Sequence, residues 1–197
     1  MHQPDNWGEV ARFGMFIVGA EAVPEAEWWA MAPPGVSVHA ARVTAPTPWA
    51  QWNADRSAVV PSGDLARGAK QFASMRLDAV VTGHTSSSVI GGPGWDDAVC
   101  SWLAGELRPG THATTNGLDC LRALEASAVS RPFLVLPPWF GDATLSAATA
   151  HLEAAGRAHA GHLRHDPGPD WRDVPYGEMY PRGLGFAQDV DALHDQI

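Results

Sequence analysis

Leu77-Asp78-Ala79-Val80-Val81-Thr82-Gly83-His84-Thr85-Ser86-Ser87-Ser88 is the stretch on which the fold turns. The continuous apolar run from Leu77 to Val81 suits a strand buried on both faces, the habit of a parallel sheet covered by helices. It ends in a turn dense in hydroxyl groups. Upstream, Phe13-Gly14-Met15-Phe16-Ile17-Val18 is a second short apolar run, stopped by Gly19. Pro24 opens a predicted helix to Met31, because proline suits a first helical turn. Pro33-Pro34-Gly35 breaks that helix, and residues 36–43 alternate as a strand. Residues 46–61 hold prolines, Trp49 and Trp52 without clean periodicity. Ser62 can cap the helix that follows through Leu65, Ala69, Phe72 and Met75.

Downstream of the turn, residues 95–107 and a Leu-rich segment after Thr114-Thr115 read as helices. Phe133 to Leu136 reads as a strand, and a helix from a capping Asp142 to Ala155 is closed by Gly156. Residues 158–163 form a last strand, 166–185 a long Pro- and Gly-rich excursion, and 186–197 a final helix. Strands alternating with helices at this pitch predict βαβ units and a parallel sheet. Ligands in such sheets collect at the carboxyl ends of strands. Three loops therefore become candidates: 19–24, 82–88 and 137–142.

Composition narrows the function classes. The chain has 197 residues, 45% hydrophobic and 18% charged, enough for a substantial core. Net charge is −9 and the thirteen Lys and Arg form no dense run, so a nucleic-acid partner is not expected. An acidic balance also argues against anionic membranes, and no stretch approaches the ~18 apolar residues of a span. The start, MHQPDNW, lacks the charged and apolar regions of a secretory signal. Cys100 and Cys120 fall inside predicted helices, so reduced thiols and a cytoplasmic setting are expected. The sequence has no GxGxxG, Walker motif or G-x-S-x-G elbow.

The hydroxyls of Thr85, Ser86, Ser87 and Ser88 sit beside backbone N–H groups at a strand-to-helix turn, which suits a carboxylate. The competing reading is a polar turn whose hydroxyls satisfy their own backbone. His84, at the head of the turn, can move a proton near neutral pH, ligate a metal, or serve only as a hydrogen-bonded structural residue. His162-x-x-His165 is a close histidine pair without a second tight His/Asp/Glu cluster, so metal ligation is weakly supported and no metal is expected.

The order and spacing of several of these segments resemble a known family. Residues 14–18 with the following Glu-Trp-Trp, residues 32–39, 78–94, Thr114-Thr115 with its Leu-rich helix, and 133–156 together resemble the maleate cis-trans isomerase and arylmalonate decarboxylase branch of the aspartate/glutamate racemase superfamily. The resemblance implies a three-layer α/β/α fold with parallel sheets in two pseudo-symmetric lobes, expected at 1–113 and 114–197. It implies an isomerase- or decarboxylase-like enzyme acting on a small dicarboxylic or malonate-type acid, with neither metal nor organic cofactor.

Residue by residue, the resemblance implies that Thr85 and Ser86 hold a carboxylate. It places His84 where the isomerase has an attacking cysteine, which makes His84 the expected proton donor or acceptor. Glu21 stands at the position of a substrate-binding asparagine, and Trp139 at that of a tyrosine. The family's second catalytic cysteine lies on a strand beyond the helix expected at 186–197. The second lobe is therefore expected to be incomplete, with an open sheet edge that is either covered by a partner chain, as in a homo-oligomer, or left at a cost in stability. The alternatives are a carboxylate-binding or regulatory member without catalysis and, less favoured, a metal hydrolase using His84.

Overall fold

The computed structural model describes residues 7–21 and 23–197. The chain divides into two compact units, Met1–Cys120 and Leu121–Ile197. In the first, β1 (Ala11–Val18), α1 (Val23–Met31) and β2 (Val36–Val43) form a βαβ unit, followed by a small hairpin, β3 (Ala50–Trp52) with β4 (Val59–Pro61). Then come α2 (Gly63–Ala73), β5 (Ala79–Thr82), α3 (Thr85–Gly91), α4 (Trp95–Glu106) and β6 (His112–Thr115), with α5 (Asn116–Ala126) leading out. The sheet is wholly parallel in the order β2-β1-β5-β6.

Alternation along the strands assigns the two faces. Phe16, Val80, Ala41 and Val43 point toward α2 and α4, meeting Leu65, Ala69, Phe72, Trp95, Val99 and Leu103 in the larger core. Phe16 and Phe72 pack edge to face with centroids 5.0 Å apart. Met15, Ile17, Val38 and Val81 point the other way, toward Trp28 and Ala32 of the α1 segment. Helices on both faces of a parallel sheet give the α/β layering expected from the sequence. Ser62 caps α2, its Oγ accepting from Leu65 N at 3.3 Å.

The second unit holds β7 (Phe133–Leu136), α6 (Asp142–Ala154) and β8 (Gly161–Arg164), a second parallel βαβ, followed by the short helices α7 (Tyr176–Met179) and α8 (Val190–His194). Several expectations are corrected. Gly141, in extended conformation, precedes α6 as its cap, and Asp142 instead turns its carboxylate to Arg164 at 2.7 Å. The final helix is short, Val190–His194, rather than filling 186–197. β6 spans the 113/114 position read as the lobe boundary, because Ala113 and Thr114 pair with Val80 and Val81 and belong to the first unit.

Candidate active site at the carboxyl ends of β1 and β5

The strand order reverses direction about β1: β2 lies on one side of it and β5 on the other. Such a reversal, between the loops that follow the carboxyl ends of β1 and β5, is the usual ligand position in open α/β sheets. Glu21 lies on the first loop and His84 on the second, so two residues read from the sequence leave the same edge of adjacent strands. Gly83 N donates to Phe16 O at 2.9 Å, tying the turn to β1. A Cβ on Gly83 would come within 2.6 Å of that same carbonyl, so the close approach requires glycine.

His84 is clamped. Its ring stacks on the buried Trp49, with centroids 4.3 Å apart and an interplanar angle of 18°. Its Nδ1 lies 2.8 Å from Ser87 Oγ, and that oxygen accepts the Trp49 main-chain N–H at 3.0 Å. Burial removes water from the ring and lowers its pKa to about 4, so the imidazole is neutral at pH 7. A neutral ring of this pKa is a weak base, which narrows the proton-transfer role read from the sequence toward hydrogen bonding.

The hydroxyls divide into two groups. Ser87 and Ser88 are fully buried and hold the fold: Ser87 as above, and Ser88 by accepting from Gly117 N at 3.3 Å. Nearby, Thr115 donates to the buried Asp96 at 2.6 Å and accepts from Leu118 N at 3.2 Å. This buried polar knot fastens α3 to α4 and to the start of α5. For Ser87 and Ser88 the structural reading thus replaces the ligand-cradle one. Thr85 is exposed and Ser86 half-buried, and their N–H groups open α3, where no intrahelical acceptor exists. Thr85 and Ser86 are therefore the members of the turn still able to meet a ligand.

Two residues escaped the sequence reading. Asn116, just past β6, brings its side-chain amide to 3.5 Å from Thr85 Oγ1. Arg42, near the end of β2, donates to Glu21 O at 2.5 Å and to Gly19 O at 3.3 Å, and pairs with Glu25. The loop carrying Glu21 is thus stapled by a cation. The alternation of residues 36–43 already put Arg42 at a carboxyl strand end, which was the available signal. Asn116 had none, because β6 itself was not recognised.

Trp139 lies in the second unit, where its ring packs at 5.5 Å from Tyr180. Cys100 and Cys120 sit within α4 and α5. Burial and the Asp119 charge push the Cys120 thiol pKa up, opposite to what a nucleophile needs. Among the described residues no group of three or more His, Cys, Asp or Glu is placed to hold a metal. His165 bonds to Gln196 at 3.2 Å, while His162 packs against His159. No described helix is long and apolar enough to cross a membrane. An apolar cavity of about 190 Å³ lined by Phe13, Trp28, Met31 and Val38 lies toward the amino ends of β1 and β2, away from the turn.

No protein-family model matches the chain, and no curated protein is similar to it in sequence. Solved structures are similar to it in fold. The maleate cis-trans isomerase of Nocardia farcinica bound to TRIS superposes with a TM-score of 0.62 at 17% identity, over 78% of this chain and 62% of that one. The maleate isomerase of Pseudomonas putida S16 with maleate gives 0.61 at 17% identity, over 80% and 68%. An arylmalonate decarboxylase gives 0.57 at 16% identity, over 89% and 72%. These structural neighbours are the branch that the sequence resembles, and at such identities the likeness shows the fold. The chain spans 62% of the length of the Nocardia isomerase.

Proposed function

We propose that this chain is an isomerase- or decarboxylase-like enzyme that acts on a small dicarboxylic or malonate-type acid without metal or organic cofactor. The observation that carries the reading is the turn at residues 83–86. It stands at the carboxyl end of β5 beside the switch point, with Thr85, Ser86 and the two N–H groups that start α3 at its tip. Donors of this kind neutralise a carboxylate and the enediolate that forms beside it when carbon dioxide or a proton leaves. His84, Asn116 and the Glu21 loop complete this site within the first unit. The cytoplasm is the proposed compartment, the ordinary setting for thiols placed within helices, as those of Cys100 and Cys120 are.

Proton nuclear magnetic resonance of the full chain with maleate and with phenylmalonate tests this reading. Appearance of fumarate, or of phenylacetate with carbon dioxide, is expected for one of the two. Neither turnover nor binding of either acid would remove it. The second reading, a carboxylate-binding protein without catalysis, is favoured by one observation: a clamped neutral imidazole occupies the head of the turn. Saturable binding without product identifies that case.

Self-association belongs to the same proposal. It is supported by the two-stranded sheet of the second unit, which leaves Phe133 52% and Val135 42% exposed.

A further inference from the structure

The β3–β4 hairpin supplies a rigid wall beside His84. Trp52 Nε1 donates to Gly91 O at the end of α3 at 2.8 Å, and Trp95 Nε1 of α4 donates to Ala50 O at 2.8 Å. Ser62 N donates to Trp49 O at 2.8 Å at the start of α2. Three separate helices therefore fix the short segment that carries Trp49, and the indole face it presents to His84 has little freedom to move. Stacking restrains the ring in its plane. It does not choose which nitrogen carries the proton.

That choice follows from hydrogen-bond bookkeeping at Ser87. Its hydroxyl is fully buried and has one hydrogen to give. Of its two partners, the Trp49 main-chain N–H can only donate, so the oxygen accepts there. Among the described residues the remaining partner is His84 Nδ1 at 2.8 Å. If Nδ1 carried the ring proton, it and the Trp49 N–H would both donate to the one Ser87 oxygen and the hydroxyl hydrogen would be buried without an acceptor, which buried polar groups avoid. The hydroxyl therefore donates to Nδ1. In a neutral imidazole the other nitrogen then bears the proton, and Nε2 makes no hydrogen bond to the described residues.

We propose that Ser87, its oxygen engaged by the Trp49 main-chain N–H, is a positioning residue that holds His84 in the single tautomer with Nδ1 accepting and Nε2 protonated. The ring then carries a hydrogen-bond donor at Nε2, and its only basic lone pair is occupied by the Ser87 hydroxyl. A donor of this kind suits an oxygen anion, a role neutral histidine can fill. Its use toward a substrate carboxylate or enediolate rests on the function proposed above, whereas the tautomer does not.

Two-bond proton–nitrogen correlation spectra of the full chain labelled with nitrogen-15 histidine read the tautomer directly. His84→Gln identifies the resonance by its disappearance. At neutral pH the wild-type ring is expected to show an unprotonated Nδ1 and a protonated Nε2, with one form populated. In Ser87→Ala the Nδ1 signal is expected to move toward the average of both tautomers, while Trp49→Phe, which keeps the main-chain N–H, retains the wild-type pattern. A protonated Nδ1 in the wild type overturns the proposal, and this spectrum decides even if a variant fails to fold. Identical spectra for the wild type and a folded Ser87→Ala variant overturn it too. Addition of maleate separates the two readings: a shift at Nε2 alone supports the carboxylate site. A spectrum indifferent to maleate and phenylmalonate counts against that site and leaves the tautomer result standing.

Discussion

His84 is neutral in the folded chain because burial opposes its charge, and folding stability inherits that preference. The unfolded chain protonates His84 near its ordinary value of 6.5, and the native state only near about 4. Between these values the unfolded state binds a proton that the native state refuses. Stability therefore falls as pH drops from about 6.5 to about 4 and levels off below. The full shift corresponds to roughly 3 kcal/mol, reduced by solvent at the ring's exposed edge to about 1–3 kcal/mol. Urea unfolding of the wild type and of His84→Gln across this window should show the wild type losing more stability; parallel curves would contradict the burial argument. Only part of this site was legible in the sequence. The residues at 84–88 stood out by type and position, but their division of labour did not. Ser87 meets the main chain of Trp49, 38 positions away, and Ser88 meets Gly117, 29 positions away. Local composition carries no record of such partners.

At the scale of elements, the turn after β5 depends on its glycine. Gly83 lets the chain donate to Phe16 O while passing close enough that a methyl group would strike that oxygen at 2.6 Å. Gly83→Ala should cost about 1–3 kcal/mol, the range for forcing extra volume into a packed position. Calorimetric melting checks this, and an unchanged midpoint would mean the turn relaxes freely. Elements with strong patterning were readable: the apolar runs of β1 and β5, the alternation of β2 and the Ser62 cap of α2. The β3–β4 hairpin was not, because its strands have three residues each and contain Pro61, too short for a period-2 signal. β6 was missed for a different reason. His112-Ala113-Thr114-Thr115 lacks an apolar face, since Thr114 and Thr115 turn their hydroxyls to Asp119 and Asp96. Polar side chains satisfied inside the fold look like loop residues in a sequence.

For the whole molecule, the parallel order β2-β1-β5-β6 and the βαβ of the second unit account for the likeness to maleate isomerases and arylmalonate decarboxylases at 15–17% identity. Fold class was legible because the alternation of strands and helices survives wide change in individual residues. The chemistry was less so, since it rests on a few side chains at strand ends. The exposed Phe133 and Val135 predict self-association: sedimentation of the full chain should give a mass above the monomer, reduced by Phe133→Asp with Val135→Asp. A wild-type monomer at all concentrations would contradict it. The most direct test of the central claim is an amide nitrogen-15 titration of the full chain with maleate and phenylmalonate. Saturable shifts centred on Gly83, His84, Thr85 and Ser86 are predicted. An unchanged spectrum, or shifts confined to residues 121–197, would contradict the assignment of this turn as the carboxylate site.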